Sequence, residues 1–511
     1  MLHQVVREHL ETFLAEARRR GGGEGVPRFV EHELREFLAC GDLTRGFARF
    51  RCTDCQHEIL VAFSCKGRFC PSCCGRRMAE QSAHLVDGVL GGLPVRQWVL
   101  TLPYRLRYAL AWDHRLCRAV LRVFIRALLG FERSRAERRG IRGGAGGAVT
   151  AIQRFGSALN TNVHFHTLAA QGVFIEDAEG TGRFVPLPAP TDSDVTRLLA
   201  TVRRWIVRLV ARHGIDLADP SSEAQASDER LFDCPVYAEI QGAAVVGRVA
   251  TGPRAGRPVQ RVGRDRYPAE VTSTGPLHAH RDGFDLHAAV AVPAGDRARL
   301  ANLCRYVLRP PLAQERLERA PAGAVLLRLR RPWTDGTRAI RFEPTEFLEK
   351  LASLVPKPRL NLLVYHGVFA PHAHGRKDAV RRAHAGAART VAPPAASEAA
   401  RDPVSTAPGA VPAAEPVGGD PATPRPPPPP AGYVRPKYFT WASLLERTFA
   451  FDVLLCPDCG GRLRLITTIT DSSVIEKILR HLGLPTETVL PMPAKVAGWL
   501  PGVEPADWIT Q

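Results

Sequence analysis

The sequence predicts an α+β protein: a central domain on an antiparallel sheet flanked by helices, a small zinc-ribbon-like domain ahead of it, and a short cysteine-bearing segment behind it. Three observations carry this. Apolar residues recur at helical spacing in some stretches and alternate in others, the two periods of an amphipathic helix and a half-buried strand. Cysteines occur as CxxC pairs near both ends of the chain. Residues 375–436, rich in Ala, Pro and Arg and including Pro426 to Pro430, lack the apolar content of a core and read as a disordered linker. The expected organisation is a helical, zinc-binding domain over 1–95, a central domain over 96–374, the linker, a CxxC module over 437–482 and a tail over 483–511. A chain of 511 residues is too long for one hydrophobic core.

In chain order, MLHQVVREHLETFLAEA places Val5, Leu10, Phe13 and Leu14 on one helical face and Glu8, Glu11 and Glu16 on another, so it reads as an amphipathic helix and not as a signal peptide. A second helix is expected from Phe29 to Leu38, and further helices from Ala79 to Leu90 and His114 to Leu129, with the strand-like QWVLTLP between them. The basic segment Arg133 to Arg142 and the glycines at 143, 144, 146 and 147 mark entry to the central domain. Strands are expected over Ala148 to Phe155 and Val163 to Phe174, then a helix from Ser193 to Arg212, a flexible basic loop from Gly247 to Arg266, and a strand from Phe284 to Val292. A helix from Asp296 to Leu308 follows, stopped by Pro310-Pro311. The arginine-rich hairpin Val325 to Phe342 turns at Asp335-Gly336. The helix opened by Thr345 carries Phe347, Leu348, Leu351, Leu354 and Val355 on its buried stripe.

Lys+Arg 69 against Asp+Glu 51 leaves a net charge of +18 and a pI near 9.8, which favours a polyanionic partner. No apolar run is long enough to span a bilayer, so no membrane partner is expected. Twelve cysteines, half of them in CxxC pairs, point to a reducing compartment and to metal binding. The expected location is cytoplasmic, at the nucleoid.

Cys52 with Cys55 and Cys70 with Cys73 are two CxxC knuckles fourteen residues apart, spacing that suits one tetrahedral Zn2+ site. Cys40, Cys65, Cys74 and His57 are nearby candidates that could replace a ligand or hold a second ion. Arg68, Arg76 and Arg77 rim the second knuckle and suit contact with a DNA backbone. The terminal pair Cys456 and Cys459 supplies half a tetrahedron and needs ligands from elsewhere in the chain or from a second subunit, and a homo-oligomer is one reading.

Of three HxH pairs, His278/His280 and His372/His374 have loop-like surroundings, whereas His164/His166 alternate with apolar residues in a strand. A period of two puts both imidazoles on one face, where a divalent cation could bind if a third ligand joined them, with Gln153 on the preceding strand or Gln171 on the same strand as candidates. On the Asp296 to Leu308 helix, Tyr306 is flanked by Arg305 and Arg309, which could hold a phosphate. Tyr365 is the reserve tyrosine.

LNTNVHFHTLAAQGVF, LCRYVLRPPLAQERL, FSCKGRFCPSCCGRRM and RPKYFTWASLLERTFAFDVLLCPDCGGRLRLI together closely resemble HUH-superfamily transposases of the insertion-sequence ninety-one type, over nearly the whole chain apart from the linker. The resemblance implies an HUH catalytic domain in which His164 and His166 bind Mg2+ or Mn2+ and Tyr306 is the nucleophile. It implies a 5′-phosphotyrosine in single-stranded DNA, a free 3′-OH, and rejoining in a rolling-circle-type cycle. Some relatives carry a second tyrosine four residues from the first; Asn302 and Pro310 stand there, so the chain looks like a single-tyrosine version. Relatives also tend to have an acidic residue where this chain has Gln171. A plasmid replication initiator or relaxase would share the histidines and the tyrosine, and a non-catalytic zinc-ribbon DNA-binding protein is the alternative outside enzymes.

Overall fold

The computed structural model describes residues 1–176, 182–217, 234–263, 275–381 and 452–495, with 440, 442–444 and 446. The linker reading therefore falls, beyond residue 381, outside the described residues. The fold is α+β, and its ladders among the described residues are antiparallel.

The central sheet is ordered β15-β4-β5-β3-β10-β9. Its strands are β3 (Val95–Thr101), β4 (Gly147–Phe155), β5 (Thr161–Ala170), β9 (His278–Arg281), β10 (Phe284–His287) and β15 (Leu363–Gly367). A short β11 (Ala291–Val292) extends the pairing on β3. Alternation gives the sheet two apolar faces. Trp98, Leu100, Val163 and Phe165 meet the helices His114–Glu137 and Asp192–Ala211 on one side. Val95, Val149, Ala151 and Leu168 meet the helix Arg297–Val307 on the other, through Leu300, Leu303, Cys304 and Val307. Both covering helices of the first face start where a side chain accepts from free backbone N–H groups: Asp113 from Arg115 and Leu116, and Thr191 in a capping box with Asp194.

Several expectations need correction. The helix read as ending at Leu129 runs on to Glu137 through the basic segment, because Glu132 and Arg135 are buried there as a pair 3.0 Å apart and Arg135 also donates to the carbonyls of Pro188 and Ala189. Burial pushes the Glu132 carboxyl up from its ordinary value, and Arg135 opposes this. The helix expected from Ala79 begins instead at Pro71, whose ring presets the first helical turn. The helix Tyr104–Trp112 was not anticipated. The strand expected from Val163 to Phe174 divides at Gln171: β5 ends at Ala170, and β6 (Gly172–Glu176) pairs with β7 (Gly182–Pro186) in a separate ribbon. His278 and His280, expected in a loop, lie on β9 at the sheet edge, opposite His287 and Asp285.

A second sheet, ordered β12-β13-β14-β8, holds the arginine hairpin as β13 (Val325–Arg328) and β14 (Ala339–Phe342), with β12 (Leu317–Arg319) and β8 (Gln260–Val262) at its edges. Part of the expected basic loop is therefore an edge strand, and residues 264–266 lie outside the described residues. The hairpin turns with Gly336 at φ +77°, a conformation glycine adopts without Cβ strain. The helices Leu2–Arg20 and Arg28–Leu38 share one core with the helix Pro344–Leu354, Phe13, Leu34 and Phe37 joining Phe347, Leu348 and Leu351.

The third sheet is ordered β16-β1-β2 and joins the two ends of the chain. Strand β1 (Phe47–Cys52) pairs with β2 (Glu58–Ala62) on one side and with β16 (Leu463–Ile469) on the other. The C-terminal CxxC segment, read as a separate module, is thus one edge of the N-terminal ribbon.

Candidate active site and cysteine clusters

His164 and His166 project from β5 on the sheet face covered by the Arg297–Val307 helix. Register places His164 between Gln153 of β4 and Thr101 of β3, and His166 between Ala151 and Val99. Both rings are buried, with centroids 4.9 Å apart. The Nδ1–H of His164 donates to the Asn162 carbonyl at 2.9 Å, which turns the Nε2 lone pair outward. His166 Nδ1 lies 2.8 Å from the Gln97 amide nitrogen, and its Nε2 is buried without a partner. Burial pulls His164 down to about 4 and His166 well below its ordinary value, so both imidazoles are neutral and able to ligate at pH 7.

The side-chain amide of Gln153 donates to the Val307 carbonyl at 2.6 Å, tying β4 to the end of the tyrosine helix, and its Oε1 is buried without a partner. Gln153 Oε1 is a buried acceptor without a donor, and His166 Nε2 becomes a second one when the Gln97 amide is turned so that its oxygen accepts from Nδ1–H; on paired strands the two then form a cradle suited to a cation. Gln171 is excluded from it. Its Oε1 accepts from Arg96 Nη2 and Nε at 3.0 and 3.2 Å, and its Nε2 donates to the Leu187 carbonyl. The Arg96 guanidinium that holds this oxygen repels a second cation, which corrects the reading of Gln171 as a metal ligand.

Tyr306 stands at the exposed edge of its helix, 46 % accessible, because the stripe of Leu300, Leu303, Cys304 and Val307 is what packs inward. Its ring is 5.9 Å from that of His166 and nearly perpendicular to it. The Arg309 guanidinium lies 4.3 Å from the Tyr306 ring centroid and donates to the Tyr306 carbonyl at 2.9 Å. Burial lowers Arg309 from its ordinary value, and the neighbouring Tyr306 opposes this. Arg305 donates to the Asn302 side chain on the solvent side of the helix. Tyr365, half-buried on β15, has ring contacts with His84 and with the Arg376 guanidinium. Sequence reasoning missed Gln97; the available signal was a polar residue within the apolar strand VRQWVLT.

The cysteines regroup. Cys40, Cys65, Cys70 and Cys73 form one cluster, with Sγ separations of 3.6 Å for Cys40–Cys70, 3.8 Å for Cys40–Cys73 and 3.5 Å for Cys65–Cys73. Cys52, Cys55, Cys456 and Cys459 form another, with 3.5 Å for Cys52–Cys459 and 3.6 Å for Cys55–Cys456. The tetrahedron drawn from Cys52, Cys55, Cys70 and Cys73 is therefore corrected. Six residues of β1 carry Cys52 roughly 17 Å along the ribbon, away from the end where Cys40 lies. A Zn–S bond of about 2.3 Å gives a tetrahedral edge of about 3.8 Å, so the first cluster fits zinc. Hydrogen bonds shared among the four thiols pull Cys40, through Cys65 foremost, down to about 7 and pull Cys73 down as well, while they push Cys65 and Cys70 up. Cys74 stands outside both clusters, donates to the Arg68 carbonyl at 3.0 Å and is pushed up to about 11 by burial. His57 pairs with Asp458 at 2.7 Å. Near the first cluster, the Arg68 side chain is half-buried, Arg77 donates to the Lys66 carbonyl and Arg76 is exposed.

Residues 147–377 match the putative transposase family, and residues 5–102 match the transposase zinc-binding domain. The chain is thus a DNA-processing enzyme with a zinc-binding domain at its N-terminus. It belongs to the transposases of the insertion-sequence ninety-one type. No curated protein and no solved structure gives a match. Among the described residues no helix is long and apolar enough to cross a membrane.

Proposed function

We propose that the chain is a metal-dependent HUH transposase in which Tyr306 cuts single-stranded DNA and retains one broken end as a 5′-phosphotyrosine. The observation that carries this is the Tyr306 ring standing 5.9 Å from His166, on the face where His166 Nε2 and Gln153 Oε1 have no protein partner. His164, His166 and Gln153 would hold Mg2+ or Mn2+, a nitrogen and oxygen donor set compatible with such ions. When bound, the ion supplies a Lewis acid to a phosphodiester oxygen. Turning over the Gln97 amide lets its oxygen accept from His166 Nδ1–H and leaves the Nε2 lone pair for the ion.

The Tyr306 hydroxyl gives up its proton and its oxygen attacks phosphorus; the bond to the 3′-oxygen breaks, and that oxygen leaves as a 3′-OH after taking a proton. Arg309, already against the phenol ring, is placed to neutralise charge building on the phosphate. Because the covalent bond conserves the phosphodiester energy, a 3′-OH can reverse the attack and join strands in a rolling-circle-type cycle without a nucleoside triphosphate. With Asn302 and Pro310 at the flanking positions, one phenol per chain does both steps.

The test is incubation of the full chain with single-stranded transposon-end DNA and Mn2+, with label on either side of the cut. The expected adduct survives denaturation and carries the label 3′ of the cut. Label retained from the 5′ side would reverse the polarity and overturn the phosphotyrosine assignment, and binding without cleavage would favour a non-catalytic DNA-binding protein.

Gln153 and Gln171 separate in a metal titration. Gln153→Ala is expected to weaken Mn2+ binding on the order of 10–100-fold, the usual effect of losing a group that shapes a metal site. Gln171→Ala should leave it within about twofold while lowering stability by about 1–3 kcal/mol, since the buried Arg96 loses an acceptor. Equal effects in electron paramagnetic resonance titrations would remove Gln153 from the site.

A further inference from the structure

We propose that Cys52, Cys55, Cys456 and Cys459 bind a second zinc ion, a clasp that fastens the C-terminal segment to the N-terminal ribbon. The match to a transposase zinc-binding domain ends at residue 102 and so contains only half of this ligand set. The other half arrives about 400 positions later, where Cys459 lies 3.5 Å from Cys52 and Cys456 lies 3.6 Å from Cys55. All four sulfur atoms fall within 4.8 Å of one another, close to the about 3.8 Å edge of a zinc–thiolate tetrahedron.

The backbone around these thiols is built for thiolates. The amides of Asp54 and Gly461 approach Cys52 Sγ and Cys459 Sγ, each at 3.4 Å, so each knuckle directs N–H groups toward its sulfur. Gly460, at φ +73°, lets the chain turn back tightly enough for the Cys456 amide to donate to the Gly461 carbonyl. A Cβ on Gly461 would come within 2.3 Å of Asp54 Oδ2 and 3.1 Å of Cys52 Sγ, so a larger residue would have to displace the Asp54 carboxylate and press on the Cys52 sulfur.

The apolar packing that accompanies the ladder is slight. Phe47, Ile469, Ile475 and Leu479 form one small cluster and Cys52, Cys456 and Leu463 another, while Leu465 and Ile466 remain exposed on β16. A segment of this size with so small a core needs a staple, and four convergent thiols supply the ligands for one. The tail beyond helix Ser472–His481 continues along the N-terminal helix, the Met492 amide donating to the Arg7 carbonyl and the Lys495 amide to Thr12 Oγ1. The clasp therefore places the last described stretch of chain within the first domain, and metal loading governs whether it stays there.

The full chain purified in zinc should contain two zinc ions per molecule by metal analysis after exhaustive dialysis. The Cys456→Ser/Cys459→Ser double variant should lose one of them, keep the transition of the rest of the fold, and become cleavable by trypsin at Arg462 and Arg464, at and within β16. In the unsubstituted protein, zinc should slow maleimide labelling of Cys456 and Cys459 at least tenfold relative to chelator-treated protein, a readout independent of how the variant folds. Cobalt in place of zinc should give the intense visible absorption of tetrahedral thiolate coordination at two equivalents. One zinc per molecule in the unsubstituted protein, two in the double variant, or labelling indifferent to zinc would each overturn the clasp. So would an intact mass showing Cys52–Cys459 or Cys55–Cys456 disulfides in protein prepared under reducing conditions.

Discussion

Tyr306→Phe should abolish the covalent protein–DNA adduct and reduce strand cleavage by on the order of 10^4-fold or more, the scale seen when a nucleophile is removed from a preorganised site. The substitution deletes one oxygen, with its hydrogen bond to the Arg309 side chain, and keeps the ring. Phenylalanine keeps the face against which Arg309 lies, and the bond from Arg309 Nη1 goes to the backbone carbonyl of residue 306, which remains. Stability should therefore change by less than about 0.5 kcal/mol, the usual range for surface positions. Affinity for single-stranded DNA should stay within about twofold, because Arg305 and Arg309 are untouched. A denaturing gel for the adduct and an anisotropy titration for binding check the two halves together. Should an adduct of wild-type yield persist, the nucleophile is elsewhere, and Tyr365→Phe would be the next variant to compare.

The second large effect is on stability. Glu349→Ala should destabilise the protein by about 3–5 kcal/mol, the cost of removing one partner from a buried charged pair. Glu349 and Lys350 are almost completely buried, and their side chains pair at 2.6 Å. The Glu349 carboxylate also accepts from the backbone N–H groups of Ala250 and Thr251 and from the Thr251 hydroxyl, at 2.9 to 3.0 Å. Truncation leaves two buried amides with nothing to receive their hydrogens and a buried ammonium without its counter-charge. Lys350 keeps only its bond to the Arg248 carbonyl. The Glu349→Met/Lys350→Met pair should cost less than Glu349→Ala alone, because removing both charges together removes the uncompensated one. Urea midpoints of the three proteins decide this, and a Glu349→Ala loss below about 1 kcal/mol would show the site to be hydrated.

Glu349 and Lys350 also mark the boundary of what a sequence reveals. Glu-Lys in a helix reads as a solvated pair, and nothing local signals that the loop at 248–251 turns its backbone toward them. The same divide runs through the site. Alternation in NVHFHTLAA was enough to put His164 and His166 on one face of a strand, since side-chain direction in a strand is a property of the backbone with a period of two. Helical spacing likewise set Leu300, Leu303, Cys304 and Val307 inward and left Tyr306 at the edge. Both are local rules, legible from a dozen residues.

Which groups meet was not legible, because that depends on strand order and register. Gln153 and Gln171 were equal candidates in the sequence. Pairing of β4 with β5 puts Gln153 opposite His164, while the end of β5 delivers Gln171 to Arg96. The cysteines divide in the same way. CxxC spacing determined that thiols would come in pairs, since two residues in one tight turn must present sulfur atoms close together. Pairing of β16 with β1, between segments some 400 residues apart, decided which pairs share a cluster: Cys52 and Cys55 with Cys456 and Cys459, leaving Cys70 and Cys73 to Cys40 and Cys65. The sequence by itself determined the chemical groups and their local direction, which short-range backbone geometry dictates. The tertiary structure alone decided their partners, because long-range register carries no signature in the residues that obey it.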